Sequence, residues 1–90
     1  MARIKINNER FQELLNSIID DIKIIHGENC GYGIEFNKDG DTAYITQSDG
    51  FPFYVTHLDK FTAILTLYNC TMWFDSKNNK PCLVFINETN

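Results

Sequence analysis

Two histidines and three cysteines are the side chains of this sequence with the most direct use in nucleophilic catalysis or zinc binding. His26 and His57 lie far apart along the chain, and Cys30, Cys70 and Cys82 form no Cys-x-x-Cys pair. A catalytic Cys–His pair needs an orienting third group, and a zinc site needs closely spaced ligands. We therefore predict that the protein is not an enzyme and has no metal site and no cofactor.

The cysteines have a simpler interpretation as free thiols that are buried as small apolar groups. Cys70 and Cys82 bracket the last predicted hairpin, so a disulfide across its base is the alternative. The segment that starts at Asn37 resembles a calcium loop, but its sixth and twelfth residues are Thr42 and Ser48, where Gly and Glu are required. A hairpin turn explains this segment.

Composition and charge exclude several classes of function. The chain has 90 residues with eight basic and twelve acidic side chains, a net charge of −4, which argues against binding to a phosphate backbone. No apolar run is long enough to span a membrane, and the amino terminus lacks the apolar region of a signal peptide. We expect one domain over residues 1–90 in the cytoplasm, with no nucleic-acid or membrane partner.

A long helix over residues 9–26 is the clearest predicted element. Its apolar residues recur at helical spacing: Phe11, Leu14, Leu15, Ile18, Ile19, Ile22 and Ile25. Asn7 and Asn8 supply a cap before it, and Gly27 supplies a left-handed residue after it. Its polar side carries Glu9, Glu13, Asn16 and Asp20. This acidic stripe is either a solvated face or a docking surface for a basic partner.

Strands are predicted on both sides of this helix. Residues 1–6 alternate as a short edge strand, and Tyr32–Phe36, Thr42–Gln47 and residues 51–56 make three more. A type I′ turn at Asp39-Gly40 would pair Phe36 with Ala43 and Ile34 with Ile45. A three-residue turn over Ser48, Asp49 and Gly50 would pair Ile45 with Phe53 and Ala43 with Val55. Tyr44 would then oppose Tyr54 on the other face, beside Glu35.

A second helix and a hairpin complete the predicted fold. Thr56 caps the helix, its apolar stripe contains Leu58, Phe61, Ile64, Leu65 and Tyr68, and Asn69 ends it. The hairpin is TMWFDSKNNKPCLVFI. The order β-α-β-β-β-α-β-β predicts an α+β domain with two helices packed on an antiparallel sheet.

The hairpin has two apolar faces, and this is the most informative feature of the sequence. An even loop at Asn78-Asn79 pairs Phe74 with Leu83 and Trp73 with Val84. One face then holds Met72, Phe74, Leu83 and Phe85, and the other holds Trp73, Cys82, Val84 and Ile86. The helices can cover only one of them. The second is covered by the amino-terminal strand or the carboxyl-terminal tail, or it forms an interface.

We interpret the chain as a small protein-binding module. Abundant Ile and Asn with scarce Arg fit AT-rich coding, so we expect a phage or mobile-element protein, such as an inhibitor of host defence of the anti-CRISPR type. The partner is another protein or a second copy of the chain. The expected binding residues are Trp73, Tyr54, Tyr44, Val84, Ile86, Glu9, Glu13 and Asp20. The alternatives are a homo-oligomer that binds a nucleotide signal, and an immunity protein or antitoxin.

Overall fold

Two helices and four strands make up the described part of the computed structural model, which covers residues 3–26, 31–47 and 55–88. The elements are α1 (Asn8–His26), β1 (Tyr32–Phe36), β2 (Thr42–Gln47), α2 (Val55–Leu67), β3 (Cys70–Lys77) and β4 (Lys80–Asn87). The strands form one antiparallel sheet in the order β1-β2-β4-β3. The predicted α+β class is confirmed. The predictions for Gly27, Cys30, Tyr54 and the turn at residues 48–50 lie outside the described residues.

Helix α1 follows its predicted pattern closely. The side-chain Oδ1 of Asn7 accepts a hydrogen bond from the backbone N–H of Arg10 at 2.8 Å, as a helix cap does. The buried side chains of the helix recur at three- and four-residue steps: Phe11, Leu15, Ile19 and Ile22. This stripe holds the helix against the sheet, so the helix is stabilised mainly by packing.

The neighbour of strand β2 differs from the prediction. Ala43 and Ile45 lie opposite Phe85 and Leu83 of β4, where Val55 and Phe53 had been expected. The prediction that Ala43 and Ile45 both face apolar residues on the neighbouring strand was correct. Strand β4 satisfies it equally well, because period-two alternation fixes which face a residue occupies but not which strand lies next to it.

The predicted strand over residues 51–56 is wrong at its end, since Val55 and Thr56 belong to helix α2. Thr56 lies inside this helix and therefore cannot be its cap. Both residues are β-branched and favour strands, but this preference is weak. Burial of the stripe around Phe61 and Ile64 outweighs it. Residues 51–54 lie outside the described part of the chain.

Within residues 3–6, the described part of the predicted amino-terminal strand, one parallel bridge is formed, between Ile4 and Tyr68, outside the four-stranded sheet. Arg3 fixes this segment, because its Nη1 donates to the carbonyl oxygens of Leu65 at 3.0 Å and Cys70 at 2.9 Å. The segment thus lies beside the start of β3.

The two hairpin turns differ in conformation. Asn78 and Asn79 both have positive φ, 54° and 63°, as a type I′ turn requires. In the β1–β2 turn the register is as predicted, but among its described residues only Gly40 has positive φ, so the type I′ assignment there is wrong. The Asn37 side chain holds this turn instead, since its Oδ1 accepts the backbone N–H groups of Asp41 and Thr42 at 3.1 Å each.

The core lies between the helices and one face of the sheet. The strand residues in this core are Tyr32, Ile34, Phe36, Ala43, Ile45, Cys70, Met72, Leu83 and Phe85. All of them point to the same side, because their positions differ by even numbers along each strand and match across the ladders. We call this side the helix-covered face, and the opposite side the open face.

Candidate functional site

The open face combines a continuous apolar band with charged residues at one end. Its residues are Glu35, Thr42, Tyr44, Thr46, Thr71, Trp73, Asp75, Lys77, Lys80, Cys82, Val84 and Ile86. Glu35, Tyr44, Val84 and Trp73 lie side by side on β1, β2, β4 and β3. None of these residues belongs to the core between the helices and the sheet.

Burial on this face separates its centre from its edge. Val84 is 3% exposed and Cys82 is 1% exposed, although the core cluster under the helices does not include them. In the ladders, Val84 lies between Tyr44 and Trp73, and Cys82 lies between Thr46 and Asp75. Trp73 lies directly opposite Val84 on the outer strand β3 and keeps 43% of its surface exposed. The predicted hairpin register is therefore confirmed, and it places a large aromatic side chain in solvent beside a buried apolar centre.

Lys77 crosses the open face and joins its two outer strands. Its Nζ donates to Oε2 of Glu35 at 2.6 Å and lies 4.7 Å from the ring centroid of Tyr44. In a flat sheet, β1 and β3 would lie about 14 Å apart, and these two residues would also be offset along the strands. The contact therefore requires the sheet to twist or bend so that Glu35 and Lys77 approach each other across the open face.

The ion pair also sets the charge state of its two members. The hydrogen bond from Lys77 lowers the pKa of the Glu35 carboxyl, and the same bond raises the pKa of the Lys77 ammonium. Both groups are therefore charged near neutral pH. The outer side of the Tyr44 ring faces a fixed cation.

The described cysteines are thiols with no sign of reactivity. Burial raises the pKa of both Cys70 and Cys82, which disfavours the nucleophilic thiolate. They lie on opposite faces of the sheet, and their cross-strand partners are Asn87 and Asp75, so they form no disulfide. The prediction of buried free thiols is confirmed for these two residues.

Two shallow depressions adjoin on the open face near the end of the last hairpin. One has a volume of about 170 Å³ and is lined by Glu35, Thr46, Lys77, Asn78 and Lys80. The other has a volume of about 300 Å³ and is lined by Tyr44, Asp75, Ser76, Lys77, Cys82 and Val84. Neither Lys77 nor Lys80 was predicted as a site residue. The hairpin register was a sufficient signal, because it places Lys77 opposite Lys80 on the same face as Trp73.

The acidic stripe of α1 lies away from the open face. Glu9, Glu13 and Asp20 are exposed, about 135° around the helix from the buried stripe that packs on the sheet. Glu13 also forms an ion pair with Arg10 at 3.4 Å. The stripe and the open face are therefore on opposite sides of the domain. The structure does not bring together the two groups of binding residues predicted from the sequence.

Tyr32 and His57 form a buried polar contact beneath the helices. The Tyr32 hydroxyl lies 2.7 Å from Nδ1 of His57, and both residues are buried. This contact ties β1 to the first turn of α2. Among the described residues, no group of three or more His, Cys, Asp or Glu side chains could hold a metal ion. Neither described helix is long and apolar enough to cross a membrane.

No protein-family model, no curated protein and no solved structure matches this chain. Its function is therefore inferred from the chemistry of the open face.

Proposed function

We propose that this protein is a non-enzymatic binding module that acts by occupying the surface of a partner protein with its open face. The observation that carries the proposal is the position of Trp73, which is 43% exposed on a sheet face whose centre is already apolar and buried. Tryptophan is the residue type most enriched in binding hot spots, and it contributes most when neighbouring groups exclude water around it. Val84 and Ile86 supply these neighbours.

The ion pair across the open face supports the same proposal. The contact between Lys77 and Glu35 joins the two outer strands of this face before a partner arrives. A preorganised surface loses less conformational entropy on binding. A small domain with such a face is suited to stoichiometric binding.

An inhibitor or accessory factor of phage or mobile-element origin is the form of this function that we propose. Its support is the small acidic chain and the coding bias seen in its composition. An inhibitor of host defence, of the anti-CRISPR type, would bind a host protein in the cytoplasm. An immunity protein or antitoxin would use the same face on a different target.

Binding of a nucleotide signal between copies of the chain is less well supported. The larger depression, about 300 Å³, is at the lower limit for ligand pockets. A base that stacked on Tyr44 would have to displace Lys77, which lies 4.7 Å from the ring centroid. Nucleotide binding between copies would require the chain to oligomerise, and light scattering measures the mass of the species in solution.

Substitution of Trp73 tests the proposed function. Wild-type protein, Trp73→Ala and Leu67→Ala are each used as bait in a lysate of the host, and bound proteins are identified by mass spectrometry. Leu67 is a matched control, since it is a large apolar residue that is 54% exposed at the end of α2, away from the open face. We expect Leu67→Ala to retain the wild-type partner and Trp73→Ala to lose it. Circular dichroism verifies that both variants are folded.

The proposal is wrong if Trp73→Ala retains the same partner and the same self-association as the wild type. The size of the loss is also informative, since removal of a hot-spot tryptophan weakens binding by about 2 kcal/mol or more.

A further inference from the structure

Two lysines lie directly opposite each other at the hairpin end of the open face. Lys77 and Lys80 form the last residue pair of the β3–β4 ladder, next to the Asn78-Asn79 turn. Like charges at directly opposed positions destabilise a hairpin unless an anion lies close to them. Glu35 supplies that anion for Lys77. Among the described residues, Lys80 has no carboxylate within ion-pair distance.

The residues around Lys80 carry several hydrogen-bond donors that suit an anion. The depression beside it is lined by Thr46 and Asn78 as well as by both lysines and by Glu35. Hydrogen bonds from charged donors to a carboxylate are about twice as strong as those between neutral groups.

We propose that a carboxylate side chain of the protein partner binds in this depression, between Lys80 and Lys77, while an apolar residue of the same partner segment covers Trp73. This inference rests on the proposed function and specifies the partner's chemistry. A partner segment without an acidic residue would leave Lys80 beside another cation.

The register gives the spacing that the partner must have. Trp73 lies opposite Val84, and Lys80 is four residues from Val84 along β4. At about 3.4 Å per residue, the two anchor points are about 14 Å apart. In an extended partner segment, an apolar residue and an Asp or Glu four positions away span this distance.

The other charges of the open face favour a protein carboxylate over a nucleic acid. Glu35 and Asp75 are exposed on the same face, and Glu35 lines the depression itself. A chain of phosphates that crossed this face would pass these carboxylates and would be repelled. A single carboxylate placed at Lys80 avoids Asp75, and Glu35, the one carboxylate that lines the depression, is already paired with Lys77. The net charge of −4 also opposes polyanion binding.

A selection from a random peptide library tests the inference. The library is selected separately on wild-type protein, Lys80→Gln, Trp73→Ala and the control Lys38→Gln, an exposed lysine in the β1–β2 turn. On wild-type and Lys38→Gln we expect peptides with an apolar residue and an Asp or Glu four positions apart. On Lys80→Gln we expect the apolar preference without the acidic one.

A synthetic copy of an enriched peptide then gives affinities, because Trp73 is the single tryptophan and reports binding by its fluorescence. Replacing the peptide's acidic residue by its amide should weaken binding to the wild type by about tenfold. The same peptide change should have little effect on binding to Lys80→Gln, since the peptide change and the protein change remove the same interaction.

Different results would contradict the carboxylate site and the proposed function. Enriched peptides without an acidic preference, an acidic preference that survives Lys80→Gln, or no enrichment on the wild type would overturn the carboxylate site. Tight binding of a single-stranded oligonucleotide that depends on Lys80 would show that the partner class is wrong. Selection of the same peptides by Trp73→Ala would instead contradict the proposed function.

Discussion

Strand β4 buries its two faces to the same degree by two different means. Phe85, which is fully buried, lies on the helix-covered face and packs against Phe61 of α2 with ring centroids 5.8 Å apart. Val84, the preceding residue, is 3% exposed on the open face, where its neighbours in the ladders are the sheet residues Tyr44 and Trp73. Burial alone therefore does not distinguish a core from a binding surface; the covering groups do.

The two kinds of cover differ in how easily they move. A helix is held by its whole apolar stripe, so it cannot shift to fill a cavity beneath it. A lysine stem or a tyrosine ring at the surface can change rotamer at little cost. A partner can replace this second kind of cover without unfolding the domain.

Phe85→Ala should produce the largest effect, because it leaves a cavity under α2. We expect a loss of about 3–5 kcal/mol in the free energy of unfolding. Denaturant titration followed by circular dichroism measures it. The matched control is Phe74→Ala on the same face, where the side chain is 59% exposed, and its cost should be about 1 kcal/mol or less. Equal losses in the two variants would contradict the assignment of the core.

Val84→Ala should cost less than Leu83→Ala, although the two residues are adjacent and both buried. Removal of Leu83 leaves a cavity beneath the helices and should cost about 2–5 kcal/mol. Beside Val84, the side chains of Tyr44 and Trp73 lie on the open face and can move into the space, so we expect about 1–2 kcal/mol. If Val84→Ala were as costly as Leu83→Ala, the open face would be a second rigid core, and its role as a binding surface would lose its main support.

Local pattern was sufficient to predict the helices and the hairpin register. The spacing of Phe11, Leu15 and Ile19 is specific to a helix, and the loop at Asn78-Asn79 fixes which residues of the hairpin share a face. Both features depend on residues close together in sequence. The open face and its exposed Trp73 followed from them.

Strand order was not predictable in the same way. Ala43 and Ile45 require apolar partners, and both β4 and residues 51–56 offered them, so parity could not decide between two strands. The contact between Glu35 and Lys77 across the open face was also missed, because the two residues are 42 positions apart. Contacts of this kind have no local signature in a sequence.

Glu35→Gln should produce the smallest effect, and one that depends on pH. The Lys77 hydrogen bond lowers the pKa of Glu35 in the folded chain, so the ion pair contributes stability above the ordinary pKa of 4.5. That contribution is lost as the pH falls through the lowered value. We expect Glu35→Gln to unfold at a slightly lower denaturant concentration than wild type at neutral pH, and the two midpoints to converge in acid. Because both groups are exposed, added salt should also reduce the difference. A difference that persisted unchanged at low pH would show that the charge of the Glu35 carboxylate is not the source of the stabilisation.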